Sequence, residues 1–559
     1  MRILLIPPKS NYPSPLPYGG IIGQAMPYLA AACKAAGHEV AGLNLCSEWC
    51  HGSAPLHLEK ALRHAIEAGQ PQAIGLSGLS ADYLFVRDAL SFIRQFAPHT
   101  PIILGGGILS YDPDFIFNTL QPDFGVIGDG EETLILLLEA LQGKAELAAV
   151  PNLVYRKDGT QRRTARKQMS ANLDALPFPD YAPFDFQTHL RMANQTDHHF
   201  YTHTRQQPRI LPVSMGRSCP FKCTFCCHLG GETYRQRSVE GALREIAHFY
   251  EMYQFNILFI YDELFSMNSA RVEAFCDGIR ELREREHMDF DWTCDLRVER
   301  PDLRILRKMK AAGCYYIGYG FESGSDTILK SMKKGTTVAQ IERAIDLTLE
   351  AGMGAQGALL FGDPAETKET LAETAEFYRK HAHHAMIGYG YVTPYPGSEL
   401  FAQCLAKGLI QDKLAYYEKV TVFTEKQINM TTLPTEVFGN LTDAARQSAG
   451  EPLPSVPVRE YQQTGECLID REAPLTLRRT NYRLQVQCPH CTSLVDFVLP
   501  LRKRQEGSGQ QEVYCPECHH RFILIYQHDQ LIEPAVPKIL FRYFYGDPAA
   551  SYVYPRPPR

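Results

Sequence analysis

A chain of 559 residues is too long for one hydrophobic core and is expected to divide into two to four domains. It is 45% hydrophobic and 21% charged, as globular proteins are, and 57 basic against 63 acidic side chains give a net charge of −6. That balance argues against a nucleic acid or a membrane surface as partner, and no apolar run reaches the ~18–20 residues that a bilayer span needs.

The first ten residues, MRILLIPPKS, lack the small-residue cleavage site of a signal peptide. With 16 cysteines and no export signal, the expected compartment is the reducing cytoplasm, where clustered cysteines bind metal or do redox chemistry more often than they form disulfides.

Residues 1–142 alternate two patterns. RILLIPP, HEVAGLNL, QAIGLSGLS, PIILGGG and FGVIGDG are short apolar runs closed by Gly, Pro or Ser. Between them IIGQAMPYLAAACKAAG, LHLEKALRHAIEAG, ADYLFVRDALSFIRQF and EETLILLLEAL carry apolar residues at helical spacing. The alternation predicts a doubly wound parallel sheet, whose ligand binds beyond the carboxyl ends of the strands. Ser77-Gly78, Gly105-Gly106-Gly107 and Gly128-Asp129-Gly130-Glu131 stand there. Such corners let a phosphate or a large flat ligand approach the backbone; the alternative is that they are only turn glycines. PNLVYRKDGTQRRTA reads as a hairpin turning at Asp158-Gly159, and DALPFPDYAPFDF as a Pro-rich linker.

From about residue 208 a second alternation begins. Its strands are ILPVSMGRS, NILFIYDELF, DFDWTCDLRV, YYIGYGFESG, GAQGALLFGDP and MIGYGYVTPYPG. Helical patterns at SVEGALREIAHFYEMY, SARVEAFCDGIRELRERE, PDLRILRKMKAAG, TVAQIERAIDLTLEAG and TKETLAETAEFYRKHA separate them. This predicts a partial or complete β/α barrel, with chemistry at the C-terminal ends of the strands. CPFKCTFCC follows the first strand, and Cys219, Cys223 and Cys226 form C-x3-C-x2-C. Three thiolates can wrap one cuboidal cluster and leave an iron open. A zinc site would need a fourth ligand, from Cys227 or His228. The thioredoxin-like context of disulfide exchange is absent.

These residues resemble the radical S-adenosylmethionine (SAM) superfamily. The resemblance implies that Cys219, Cys223 and Cys226 hold a [4Fe–4S] cluster whose open iron chelates SAM, with Phe225 bordering the adenine. Further positions match in order: YRQRS, then Asp262-Glu263 ending strand two and Arg297 ending strand three. GYGFESG with Glu322, FGDPAET with Gly362 and Glu366, and PYPGSEL with Gly397 follow. Phe225, Asp262, Glu263, Arg297 and Glu322 are thereby the expected SAM contacts, although Glu322 could equally be an ordinary paired acid. GGE at 230–232 reads as connecting loop. Cys276, Cys294, Cys314 and Cys404 read as packing thiols, and Cys227 as either a spare thiol or a group beside the cluster.

The first domain resembles the cobalamin-binding domain that precedes the barrel in one large branch of that superfamily. Ser77, Gly78, Gly105, Gly106, Gly107, Gly128, Gly130 and Glu131 are then the expected cobalamin contacts. The loop PPKSNYPSPLPYGG departs from the D-x-H-x-x-G of methionine-synthase-type domains and holds no histidine. A protein imidazole on cobalt is therefore not expected. The two resemblances cover about two thirds of the chain.

After residue 420 the alternation stops, and 425–475 shows no convincing period. Cys488 and Cys491, then Cys515 and Cys518, form two C-x2-C pairs around a segment ending in a flexible EGSGQQ tip. Two such knuckles on a hairpin predict a structural, four-coordinate Zn²⁺ ribbon. Basic LRKR could touch nucleic acid, but a staple or docking role is as common. The final YFYGDPAASYVYPRPPR reads as a packed arm.

The expected order is a cobalamin-binding domain (1–145), a hairpin and linker (146–205), a radical SAM barrel (206–425) and a C-terminal region (426–559) with the ribbon at about 482–526. The resemblance implies a methyltransferase acting on an unactivated carbon. A 5′-deoxyadenosyl radical takes a substrate hydrogen, methylcobalamin gives the methyl, and a flavodoxin- or ferredoxin-like donor supplies electrons. The alternatives are a non-methylating cyclase or rearrangement enzyme, and an RNA-modifying enzyme targeted by the ribbon. The expected substrate is a small molecule or biosynthetic intermediate.

Overall fold

The structure, a computed structural model, describes residues 1–14, 22–46, 53–167, 172–193, 209–227, 233–265, 268–299, 301–420, 428–447, 453–458, 461–467, 479–502, 509–526 and 533–534. Part of PPKSNYPSPLPYGG, His228, the GGE at 230–232, part of LRKR, part of the EGSGQQ tip and the final aromatic arm lie outside them.

Five apolar runs of the first third become parallel strands in the spatial order Glu39–Gly42, Arg2–Ile6, Ala73–Ser77, Ile102–Gly105, Phe124–Val126. Successive side chains of a strand point to opposite faces, and Arg2–Ile6 shows the consequence. Ile3 and Leu5 enter one core with Met26, Ala30 and Leu137, while Leu4 and Ile6 enter another with Leu58, Leu62 and Val86. Helices therefore cover both faces. The hairpin Leu153–Lys157 and Thr160–Arg163 turns through Asp158 and Gly159, both at positive φ, and extends the same sheet antiparallel to Phe124–Val126. Two short helices escaped the sequence pattern, Gly107–Tyr111 and Pro113–Leu120, because Asp112 at φ −146° before Pro113 breaks their period.

The second sheet holds six parallel strands adjacent in chain order: Ile210–Val213, Ile257–Ile260, Asp291–Leu296, Cys314–Glu322, Gly354–Phe361 and Met386–Tyr391. It is a partial barrel. The intervening helices open on Ser238, Asn268, Asp302, Thr337 and Thr367, each side chain accepting a first-turn amide.

Three rings of the Pro-rich linker are buried. Tyr181, Phe184 and Phe186 are at most 2% exposed. Tyr181 stacks on Phe186 at 4.4 Å and meets Phe249 edge-on at 5.4 Å, so these rings join the first sheet's core to a barrel helix. Segment 425–475 also differs from its sequence reading, since Thr435–Gln447 is a helix. Its apolar stripe, Phe438, Leu441 and Ala445, is short and interrupted by Gly439 and Thr442, and packing makes the helix stable.

The ribbon's Tyr514 joins one apolar cluster with Ile210, Ile257, Phe259, Tyr316 and Met386. Ile210, Ile257 and Met386 open their strands, so the ribbon covers the N-terminal floor of the barrel. The Arg521 amide donates to the His383 carbonyl at 2.9 Å and its guanidinium to the Ala382 carbonyl at 3.3 Å. No helix among the described residues is long and apolar enough to cross a membrane.

Candidate active site between two loop edges

The cysteine loop leaves the first barrel strand through Gly216 and Ser218, the latter at φ +73°. It is pinned on two sides: the Thr224 amide donates to the Met332 carbonyl and the Leu400 amide to the Thr224 carbonyl, each at 3.0 Å. Cys223 is buried while Cys219 and Cys226 are half-buried. The neighbouring Cys226 thiol, helped by the cations Lys334 and Arg297, holds Cys223 down to about 6. Among the described residues, only the four ribbon cysteines draw their ligand atoms to within 4.8 Å of one another. Three thiols on one loop, with the cations Lys334 and Arg297 beside them, suit a cuboidal cluster that takes one thiolate per iron. The loop fits a cluster.

The expected SAM residues divide. Asp262 is 4% exposed and turned inward, accepting the Met215 amide at 2.6 Å, with Gly216 bonded too. It shapes the loop's exit. Burial outweighs those bonds and pushes its carboxyl up to about 7. Glu263, its neighbour, is exposed, and its charge reaches Cys219 and Tyr111. Arg297 lays its guanidinium 3.5 Å from the Phe221 ring centroid and donates to Glu299 at 2.8 Å. Phe225 packs against the apolar cluster of Ile328, Met332, Val392 and Leu400. A cleft of about 570 Å³ beside the loop is lined by Phe221, Leu264, Leu296, Arg297, Ile305 and Tyr319.

Glu322 ends the fourth barrel strand at φ +63° and pairs with Lys334 at 2.7 Å. Gly320 makes the room, since a Cβ there would sit 2.4 Å from Lys334 Nζ and 2.6 Å from Glu322 Oε1. Burial opposes the Lys334 charge, but Glu322 outweighs it and holds the ammonium above its ordinary value. Lys334 was missed in the sequence because SMKKGTT carries no motif; only the fold brings it to Glu322. Glu366 caps the Gly362 amide, and burial raises its carboxyl to about 8. Cys227 donates to the Pro396 carbonyl at 3.4 Å, and Cys276, Cys294, Cys314 and Cys404 are buried.

The glycine corners of the first sheet face this loop. Asp129 pairs with Arg235 at 2.8 Å and with Arg217 at 3.2 Å, and Glu131 with Arg217 at 2.7 Å. Gln24 donates to the Pro212 carbonyl of the first barrel strand at 2.7 Å. Ser77, Gly105, Gly106 and Gly128 remain half-exposed along this edge, whereas Gly78 and Gly107 are buried. A Cβ on Gly106, at φ +80°, would lie 2.5 Å from Ser77 Oγ and 2.7 Å from the Gly78 carbonyl. That glycine is required by the chain itself. A Cβ on Gly130 would lie 3.1 Å from Leu29. The open backbone of Ser77, Gly105 and Gly128 fits a large flat cofactor; Glu131 is engaged in the seam.

Residues 22–138 match the model of the B12 binding domain, and residues 213–378 that of the radical SAM superfamily. The chain is a radical SAM protein with a B12-binding domain. This radical SAM protein is 26% identical over 356 residues to an uncharacterized methyltransferase of Pyrococcus horikoshii, covering 62% of this chain and 72% of that one. It is 23% identical to the cytidylyl-2-hydroxyethylphosphonate methyltransferase of Streptomyces wedmorensis, over 70% of this chain and 79% of that one. It is 25% identical to the anaerobic magnesium-protoporphyrin IX monomethyl ester cyclase of Rubrivivax gelatinosus, over 67% and 63%. The fold matches the radical SAM methyltransferase TsrM of Kitasatospora setae, with cobalamin and [4Fe-4S] cluster bound, at a TM-score of 0.60 and 18% identity, over 73% of this chain and 78% of that one.

The ribbon sulfurs form a separate site on the barrel floor. Cys488 and Cys518, and Cys491 and Cys515, stand 3.7 Å apart. A tetrahedron with metal–sulfur bonds of ~2.3 Å has edges of about 3.8 Å. The donor set fits one thiolate-held ion.

Proposed function

We propose that this protein is a cobalamin-dependent radical SAM methyltransferase acting on an unactivated carbon of a small-molecule or biosynthetic-intermediate substrate. The seam carries the reading: Asp129 and Glu131 of the first sheet are clamped to Arg217 and Arg235 beside the cysteine loop, so both cofactor edges border one space. Bound there, cluster and SAM would supply a carbon-centred radical, and cobalamin a methyl group.

The chain's own task is to place these reactants. Cys219, Cys223 and Cys226 would hold the cluster, and Phe225, Glu263, Arg297 and Glu322 would border SAM, with Asp262 shaping the loop behind them. Ser77, Gly78, Gly105, Gly106, Gly107, Gly128 and Gly130 would form the cobalamin edge. A flavodoxin- or ferredoxin-like protein would deliver the electron, and Cys488, Cys491, Cys515 and Cys518 would hold a structural Zn²⁺.

Likeness to the cyclase supports a second reading, radical chemistry without methyl transfer. One experiment separates the two. Reconstituted, reduced protein given cobalamin and methyl-labelled SAM should form labelled methylcobalamin and S-adenosylhomocysteine, read by mass spectrometry. 5′-Deoxyadenosine without label on cobalamin would overturn the methyltransferase reading in favour of the second.

A further inference from the structure

Lys334 is a buried cation that no cofactor motif of this sequence includes. Its residue is 8% exposed, and its ammonium lies 2.7 Å from Glu322. It stands on the turn that anchors the cysteine loop, two residues after Met332, whose carbonyl takes the Thr224 amide. Its own carbonyl accepts from Arg297 Nη2 at 2.5 Å. The charges of Lys334 and Glu322 both reach Cys223 and Cys226.

A pair so placed acts on whatever charge the loop carries. Electrostatic interactions are strong where water is excluded, and an iron–sulfur potential depends on nearby charge and hydrogen bonding. Reduction adds one negative charge to the cluster, which a nearby cation favours and a nearby carboxylate opposes. We propose that Lys334 is the positioning residue of the cluster site, setting the cluster's reduction potential and fixing Glu322 through their ion pair. The inference rests on the cysteine loop holding the cluster.

The test is a reductive titration of reconstituted full-length protein followed by electron paramagnetic resonance, with iron content measured alongside. Lys334→Met removes the cation and leaves the carboxylate, so the midpoint should shift to more negative potential. Glu322→Gln leaves the cation alone, and the midpoint should shift to more positive potential. Removing both charges should give a midpoint between those of the two single variants, because the two charges act on the cluster with opposite sign. Lys334→Arg keeps the charge and should stay close to wild type.

A fully loaded Lys334→Met protein with the wild-type midpoint would overturn the role of Lys334. If that variant takes up no iron, Glu322→Gln decides: a positive shift supports the charge pair, and an unmoved midpoint overturns it. A wild-type protein that takes up no cluster would overturn the reading of the loop as well.

Discussion

The ring of Tyr111 fills the place that a side chain at Gly397 would take. A Cβ on Gly397 would lie 2.6–2.7 Å from three Tyr111 atoms, and Gly397 itself stands at φ +98°. Tyr111 belongs to the B12-binding domain and Gly397 to the turn after the last barrel strand, beside Cys227. The next residue, Asp112, accepts from Tyr417 at 3.1 Å and pairs with Lys413 at 2.5 Å. Burial raises the Tyr111 phenol, and the charges of Cys227, Glu263 and Cys226 add to it.

Gly397→Ala should therefore strain the backbone and push Tyr111 aside. Each effect is worth about 1–3 kcal/mol, so denaturant unfolding should show a combined loss of about 2–6 kcal/mol. Tyr111→Ala in the same background should recover part of it, because the overlap disappears while the φ strain stays.

Arg217 serves two carboxylates of the other domain with a side chain 19% exposed. Arg217→Met leaves Asp129 with Arg235 alone and Glu131 without its cation. Breaking a buried pair costs about 3–5 kcal/mol, less at this partial exposure. Cobalamin affinity and resistance to limited proteolysis should both fall, while iron content stays near wild type.

Asp262 predicts a pH dependence. Its folded carboxyl is raised to about 7, above the unfolded value of ~3.9. The folded state thus binds more protons between those values, and this contribution to stability is lost as pH rises from about 4 through 7. Asp262→Asn keeps an acceptor for the Met215 amide without the charge. Its stability relative to wild type should improve steadily from pH 4 to pH 8. A difference that is flat with pH would show that Asp262 does not titrate there.

Cys515→Ala should release zinc from the ribbon and leave iron and 5′-deoxyadenosine formation near wild type. Metal binding and folding of such a module are one free energy, and Tyr514 sits on the barrel floor, at the opposite ends of the strands from the cluster loop. Elemental analysis of both metals checks it. Loss of SAM cleavage with a full iron complement would place the ribbon in the active site.

Local patterns made much of this protein legible. Alternating apolar runs specified two parallel sheets because burial on both faces demands them, and apolar residues at helical spacing marked the barrel helices. The spacing of the three loop cysteines and of the two ribbon pairs is visible in the chain itself, and the fold brings the four ribbon sulfurs together. Tertiary structure decided what depends on distant partners. Tyr181 and Phe186 look like linker by composition but become core, since aromatic burial outweighs the Pro-rich context. Asp262 turns inward to two amides while Glu263 stays open, a choice made by the packing of the loop. Lys334 meets Glu322 only because a turn after the fourth barrel strand carries it back to the cysteine loop. The sequence alone determined which chemistry the residues can hold; folding decided which charges face it, because electrostatic effects depend on distance and exclusion of water, and neither is written locally.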